Sequence, residues 1–475
     1  MSKIQRKRMT LLPPTASRLS KAITIFLIGL PSLLPAAAPT PPNVIVILAD
    51  DLGYGIVNSY GGDPKRVTTP NIDRLAAEGA KFTEGYVTCS VCGPSRAGLM
   101  TGRYQQRFGI YANCDNQAKN SGVPGDQTLM SRYFKDAGYA TAMIGKWHLG
   151  TKKPGQHPLE RGFDEYYGFD SAQTDFFESP ILFDGRTKVE QHDYLTREFT
   201  DRAIRFMEKS GDTPFFVYLA YNAVHGPNQA PKETTARFSG FPKHELVEAA
   251  MVAELDSGIG RVLDALDKSG KAKDTLIFFL SDNGGLPYWW KGSNGNLRGL
   301  KRFQFDGGNK VPFIVRWPAA VAADQVRTQP VISLDILPTA LAAAGIPTPE
   351  NEVLDGIDLL PSLKAQQDLQ PDRPLFWAGS HFECTDIKSD CWENHDNPPP
   401  AWAVRKGKWK LIQIMEHGRP MLFNIANDPS ESNDLIAQNP EVASEMQRAF
   451  AKWFQIGADP IAWNRVYFQQ LKAIR

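Results

Sequence analysis

The sequence predicts an α/β protein: a large, mostly parallel sheet flanked by helices, with a smaller C-terminal antiparallel sheet plus helix. Three observations lead there. Short, fully apolar runs alternate with stretches of helical periodicity, as expected of strands buried on both faces and the helices that cover them. Four of those runs are followed at once by polar, chemistry-bearing residues. Around residue 365 the texture changes to short β-like segments bordered by prolines.

Taken in order, Lys3, Arg6, Lys7, Arg8 and Lys21 precede the apolar run 22–34, which is followed by Ala36-Ala37-Ala38. That is the order of a secretory signal peptide, so residues 1–38 are expected to be a leader and the protein exported, periplasmic or secreted. The run is short for a bilayer span, Pro31 interrupts it, and no second stretch reaches spanning length. Residues 44–48 (VIVIL) read as a buried strand. The next helix has Thr69 as its cap, Pro70 in the first turn, Gly79 at its stop and Ile72, Leu75 and Ala76 as its buried stripe. Further strands are expected at 140–144, 215–221, 276–280 and 313–317. Residues 39–365 form the main domain in this reading and 366–475 the small one. The small domain has strands near 402–404 and 409–414. It closes on a helix after Asn439-Pro440 that buries Val442, Met446, Phe450 and Trp453.

The chain of 475 residues is 42% hydrophobic with 39 Gly and 35 Pro, a globular composition. Basic and acidic residues number 53 and 52, for a net charge of +1, so no global field favours nucleic acid or an anionic membrane. The five cysteines are Cys89, Cys92, Cys114, Cys384 and Cys391. If Cys92 is consumed by modification, Cys384 and Cys391 are the expected bridge, with Cys89 and Cys114 left as the remaining pair.

Ligands of open α/β sheets bind beyond the carboxyl ends of the strands. The four runs deliver Asp50-Asp51, then Gly145-Lys146-Trp147-His148, then Asn222 and His225, then Asp282-Asn283, all to one edge. Asp50, Asp51, Asp282 and Asn283 make an all-oxygen set suited to a hard cation. Calcium is favoured over magnesium because carboxylates of this bulk suit its looser geometry. Without a cation, three clustered carboxylates would repel one another. Pro94 near the start of a helical pattern puts Cys92 at a helix N-terminus. Exposed N–H groups there favour an anion or a low-pKa thiolate.

The run Cys92-Gly93-Pro94-Ser95-Arg96, followed by Leu99-Met100-Thr101-Gly102-Arg103, resembles the motif through which type I sulfatases of the alkaline phosphatase superfamily have a cysteine oxidised to formylglycine. The resemblance extends to residues 43–55, 69–82, 145–150, 161–168, 297–301, 305–312, 333–338 and 354–361. In the small domain it covers 402–411 and 422–435. It implies an alkaline phosphatase-like fold with a sulfatase catalytic domain over 39–365. It also implies a sulfuric ester hydrolase matured by a formylglycine-generating enzyme. Asp50, Asp51, Asp282, Asn283 and the modified Cys92 would hold Ca2+. Arg96, Lys146 and Lys301 would surround the sulfate, and His148 and His225 would handle protons. One departure is Leu300, where the family commonly has glycine, followed by Arg302-Phe303-Gln304 in place of small residues.

The scheme implied is attack on sulfur by a formylglycine gem-diol, protonation of the leaving alcohol by His225, and release of sulfate as His148 takes the second hydroxyl proton. A serine could not complete the cycle, because its sulfated form has no second hydroxyl. Alternatives are a phosphoester or phosphonate monoester hydrolase of the same superfamily, a sulfotransferase-like or purely sulfate-binding protein, or a catalytically idle module. Export and aromatic loops point to a sulfated polysaccharide or oligosaccharide. Trp289, Trp290, His381 and Trp392 are the candidate substrate contacts, against the reading that these side chains pack the two domains together.

Overall fold

Five parallel strands form the middle of the main sheet, in the spatial order Thr275–Ser281, Asn43–Ala49, Phe215–Ala220, Ala140–Lys146 and Glu165–Phe169. The structure is a computed structural model. It describes residues 41–113, 122–286, 292–380, 400–415, 418–461, 469 and 471–474. The leader, Cys114, Trp289, Trp290, His381, Cys384, Cys391 and Trp392 lie outside the described residues.

The strands read as continuous apolar runs because both faces of the sheet are covered. In Asn43–Ala49, Val44, Val46 and Leu48 pack into one core with Leu99 and Met100, while Ile45 and Ile47 pack into the other with Phe199, Leu255 and Ile259. The second core is closed by the helices Leu195–Lys209 and Lys243–Lys268. Phe313–Arg316 adds antiparallel beside Thr275–Ser281, followed outward by Ala80–Phe82 and Gln325–Arg327. Phe183–Asp184 and Thr187–Lys188 extend the opposite edge as an antiparallel ribbon, which makes the described sheet ten-stranded.

The C-terminal region supplies the expected small sheet. Leu375–Ser380, Pro400–Lys406, Trp409–Ile414 and Met421–Asn424 pair antiparallel in that order. Alternation along the second of these divides its contacts. Ala401 and Ala403 join Tyr86, Tyr104 and Leu334 of the main fold, whereas Trp402 stacks on Phe450 with ring centroids 4.5 Å apart. The closing helix is Pro440–Phe454, and its most buried side chains are Ala443, Met446, Phe450 and Phe454. Val442 and Trp453 flank that stripe, partly buried, because Trp453 turns aside to stack on Phe376 at 5.0 Å.

Two local expectations are corrected. Thr69 precedes the helix Pro70–Ala77, but its side chain does not cap it: Thr69 Oγ1 accepts from Asn58 N and so ties the preceding loop instead. Cys89 is a free buried thiol, so it does not pair with Cys114. Burial in apolar surroundings, above the other influences, pushes it up to about 12.

Candidate active site

The four central strand ends converge as the sequence suggests, through sharp turns at the sheet edge. Asp51 and His148 adopt left-handed backbone conformations, with φ of 62° and 53°. Non-glycine residues accept that conformation at a cost and only where the surroundings hold them. Gly145 stands at φ 106°, and a Cβ there would lie 1.9 Å from the Ala220 carbonyl oxygen, so only glycine lets the strand turn Lys146 inward. Cys92 opens the helix Cys92–Thr101, every residue of which is buried, and Gly93 N donates to Asn113 Oδ1 at 2.9 Å.

Around Cys92 the ionisable groups interlock. Its Sγ lies 3.7 Å from Asp50 Oδ1. Lys146 Nζ is 2.6 Å from Asp50 Oδ2, and Lys301 Nζ is 2.7 Å from Asp51 Oδ1. Arg96 donates through Nε and Nη2 to Asp282 Oδ2, at 3.0 and 2.7 Å, and its Nη2 also stands 3.4 Å from Asp50 Oδ2. Arg96, Lys146, Asp50 and Asn283 are fully buried, and Asp282 and Asp51 nearly so. Asp51 N donates to Asp282 Oδ1 and Asn283 Nδ2 to Asp51 Oδ1, which joins the first strand end to the fourth.

Burial alone would raise the Cys92 thiol, yet Lys146 and then Lys301 hold it well below the usual range, helped by a hydrogen bond from His148. Burial, then repulsion from Asp50, raises Asp282 against the pull of Arg96. The two histidines are driven apart. Burial lowers His148, with Lys146 adding to it. His225 is also opposed by burial and by Lys301, but Asp51 and Asp50 outweigh them and raise it. Its Nδ1 donates to the Gly226 carbonyl oxygen at 2.8 Å, and its Nε2 faces Asp51 Oδ2 at 3.6 Å.

The donor set fits a hard divalent cation. Asn283 Oδ1 is buried and has no hydrogen-bond partner among the described residues, and it sits beside carboxylates that otherwise need three cationic side chains to neutralise them. Asp50, Asp51, Cys92 and His225 each place a ligand-capable atom within 4.8 Å of the others, so His225 stands beside the carboxylate pair, a proximity on which the sequence reading was silent. Asn113 and Tyr218 were not foreseen. Asn113 is far from Cys92 in sequence, and Tyr218, the electrostatic neighbour of Arg96, looks in sequence like one more apolar strand residue.

A buried cysteine at a helix N-terminus, with two lysines, an arginine and three carboxylates gathered around it at one edge of the sheet, is an arrangement that could receive a small oxyanion ester. Residues 42–346 match the family model described as Sulfatase, and residues 299–455 match that of the N-sulphoglucosamine sulphohydrolase C-terminal region. An uncharacterized sulfatase of Escherichia coli (strain K12), YdeN, is 32% identical over 91% of this chain and 89% of its own. N-acetylgalactosamine-6-sulfatase of Mus musculus is 35% identical over 88% and 86%. The solved structure of Ps i-CgsB in complex with k-i-k-neocarrahexaose aligns with TM-score 0.82 and 33% identity over 92% of this chain and 98% of that one. The chain belongs to the formylglycine-dependent sulfatase family of the alkaline phosphatase superfamily and is a sulfuric ester hydrolase. Among the described residues, no helix is long and apolar enough to cross a membrane.

Proposed function

We propose that this enzyme removes sulfate from a sulfated poly- or oligosaccharide, with formylglycine made from Cys92 and calcium held by Asp50, Asp51, Asp282 and Asn283. The observation that carries this is the position of Cys92: first residue of a buried helix, in the recognition run ending at Arg96, with Lys146, Lys301 and His148 acting on its side chain. The converted residue and its cation would supply a hydroxyl nucleophile ionised near neutral pH.

The rest is done by the chain's own side chains. Arg96, Lys146 and Lys301 place fixed positive charge where a sulfate's equatorial oxygens gain charge, in a site with little water to screen it. His225, anchored through Nδ1 on the Gly226 carbonyl with Nε2 turned toward the carboxylate pair, is placed to carry the proton that a departing alkoxide needs. His148, buried on the neighbouring strand end beside Cys92, is placed to accept one when neutral.

A carbohydrate substrate is supported by the relatives, which include an N-acetylgalactosamine-6-sulfatase and an enzyme solved with a neocarrahexaose. The basic and apolar order of residues 1–38 supports export, where such polymers are met, and the run from Cys92 to Arg96 supports maturation by a formylglycine-generating enzyme. The test pairs the mass of the Cys92 peptide with assays of sulfate against phosphate release from matched chromogenic esters. An aldehyde at Cys92 and a preference for sulfate are expected. An active enzyme with an unmodified thiol, or one that prefers phosphate, would overturn the reading.

A further inference from the structure

Lys301 belongs to a loop that the main sheet alone does not hold. Its N–H donates to Gly285 O at 3.1 Å and that of Arg302 to Ser90 O at 2.8 Å, but Gly299, two residues earlier, is left-handed and the segment turns back on itself. The loop is closed at its base by Gly307 N donating to Arg298 O at 2.7 Å. Both ends of that base are then gripped by one residue of the C-terminal region. Glu431 Oε2 accepts from Asp306 N at 2.7 Å, and the Glu431 carbonyl accepts from Arg298 Nη1 at 2.8 Å.

Glu431 is presented for this task. It is fully buried and left-handed, with φ of 48°. The Asp428 carboxylate holds the surrounding turn by accepting from Ser432 N at 2.9 Å and Asn433 N at 2.8 Å. Lys410, on the strand Trp409–Ile414, completes the grip: its Nζ is 2.5 Å from Asp306 Oδ1 and 3.0 Å from Glu431 Oε1, and it too is fully buried. The Arg298 guanidinium lies over the Phe305 ring at 3.9 Å, which stiffens the loop between the two gripped ends. A buried carboxylate is costly unless partnered, and here Lys410 and the Asp306 N–H supply the partners. Burial pushes Glu431 up to about 7, with Lys410 pulling against it.

We propose that Glu431, with Lys410, is a positioning residue for catalysis: by clamping Arg298 and Asp306 it sets where the Lys301 ammonium stands against Asp51 and the bound sulfate. The small sheet then does more than cover the main fold, because it fixes one of the charges that work on the substrate. This rests on the reading of Lys301 as a sulfate-facing cation.

The test is a double-mutant cycle on kcat/KM with an activated aryl sulfate, using Glu431→Asp, which keeps the charge but withdraws the carboxylate by one methylene, and Lys301→Ala. Displacing a catalytic group by about 1 Å can cost on the order of 100-fold, so Glu431→Asp should lose roughly 10- to 100-fold in the wild-type background. It should lose almost nothing more once Lys301 is gone. Glu431→Gln, which preserves length and an acceptor for Asp306 N–H, should recover most of the rate. Losses that multiply in the double variant would assign Glu431 a general structural role and overturn the proposal. An unchanged rate in Lys301→Ala alone would instead overturn the reading of Lys301 on which it stands.

Discussion

Replacing Arg96 with methionine tests the electrostatic construction of the site without requiring turnover. Arg96 is fully buried and makes contacts of 2.7 and 3.0 Å to Asp282 and of 3.4 Å to Asp50, while its third nitrogen, Nη1, donates to Lys146 O. Removing one partner of a buried ion pair costs about 3–5 kcal/mol, because the remaining charge is left in low dielectric. Asp282 has a partial escape. Its carboxyl is already raised by burial and by Asp50, so it can take up a proton, which places the expected loss nearer the lower figure. For domains of 150–250 residues 1 kcal/mol shifts Tm by roughly 2–4 °C, and less for a longer chain, so a fall of about 5 °C is expected in chelator. In calcium the same substitution should cost half of that or less, since a cation bound by Asp50, Asp51, Asp282 and Asn283 supplies the missing charge. The assay is thermal unfolding of both proteins in EGTA and in calcium. Equal losses in the two buffers, or none in chelator, would refute the argument that these carboxylates share neutralisation between Arg96 and a metal.

Three further outcomes are expected. Cys92→Ser should be inactive wherever only cysteine-type maturation operates, as read by sulfate release after co-expression with a formylglycine-generating enzyme. His225→Ala should slow alkyl sulfates about 10²- to 10⁴-fold more than nitrophenyl sulfates, because only the alkoxide needs a proton as it leaves; equal losses would move the acid elsewhere. Glu431 is raised above its unfolded value, so the folded state binds the extra proton, and stability should fall as pH rises from about 4.5 through about 7. Glu431→Gln should flatten that limb in unfolding curves taken across this range, and a limb of unchanged slope would count against the assignment.

Much of the candidate site was legible because it is written locally. Asp50-Asp51, Lys146 with His148, His225 and Asp282-Asn283 each stand at or within a few residues of the end of an apolar run, and parallel strands covered on both faces bring their carboxyl ends to one side. Pro94 likewise marks the start of the Cys92 helix in the sequence as it does in space, and the structure adds Gly102 as its left-handed end. The small sheet was legible in the proline-bordered runs after residue 365, and its strands 400–406 and 409–414 fall where expected.

Partners chosen by distance rather than by pattern were not legible. Thr69 looks like a helix cap, but the Asn58 backbone N–H competes for its hydroxyl. The stripe of the last helix turns toward Phe454 because Phe376 offers Trp453 a stacking surface. No spacing announces that Asn113 receives the N–H of Gly93, that His225 stands against Asp51, or that Glu431 closes on Asp306. The sequence by itself determined which elements form and which chemical groups stand at their ends, since periodicity, turns and short motifs act over a few residues. Only the tertiary structure decided how those groups neutralise and orient one another, because burial and Coulomb energy depend on separations between strand ends and loops far apart in the chain.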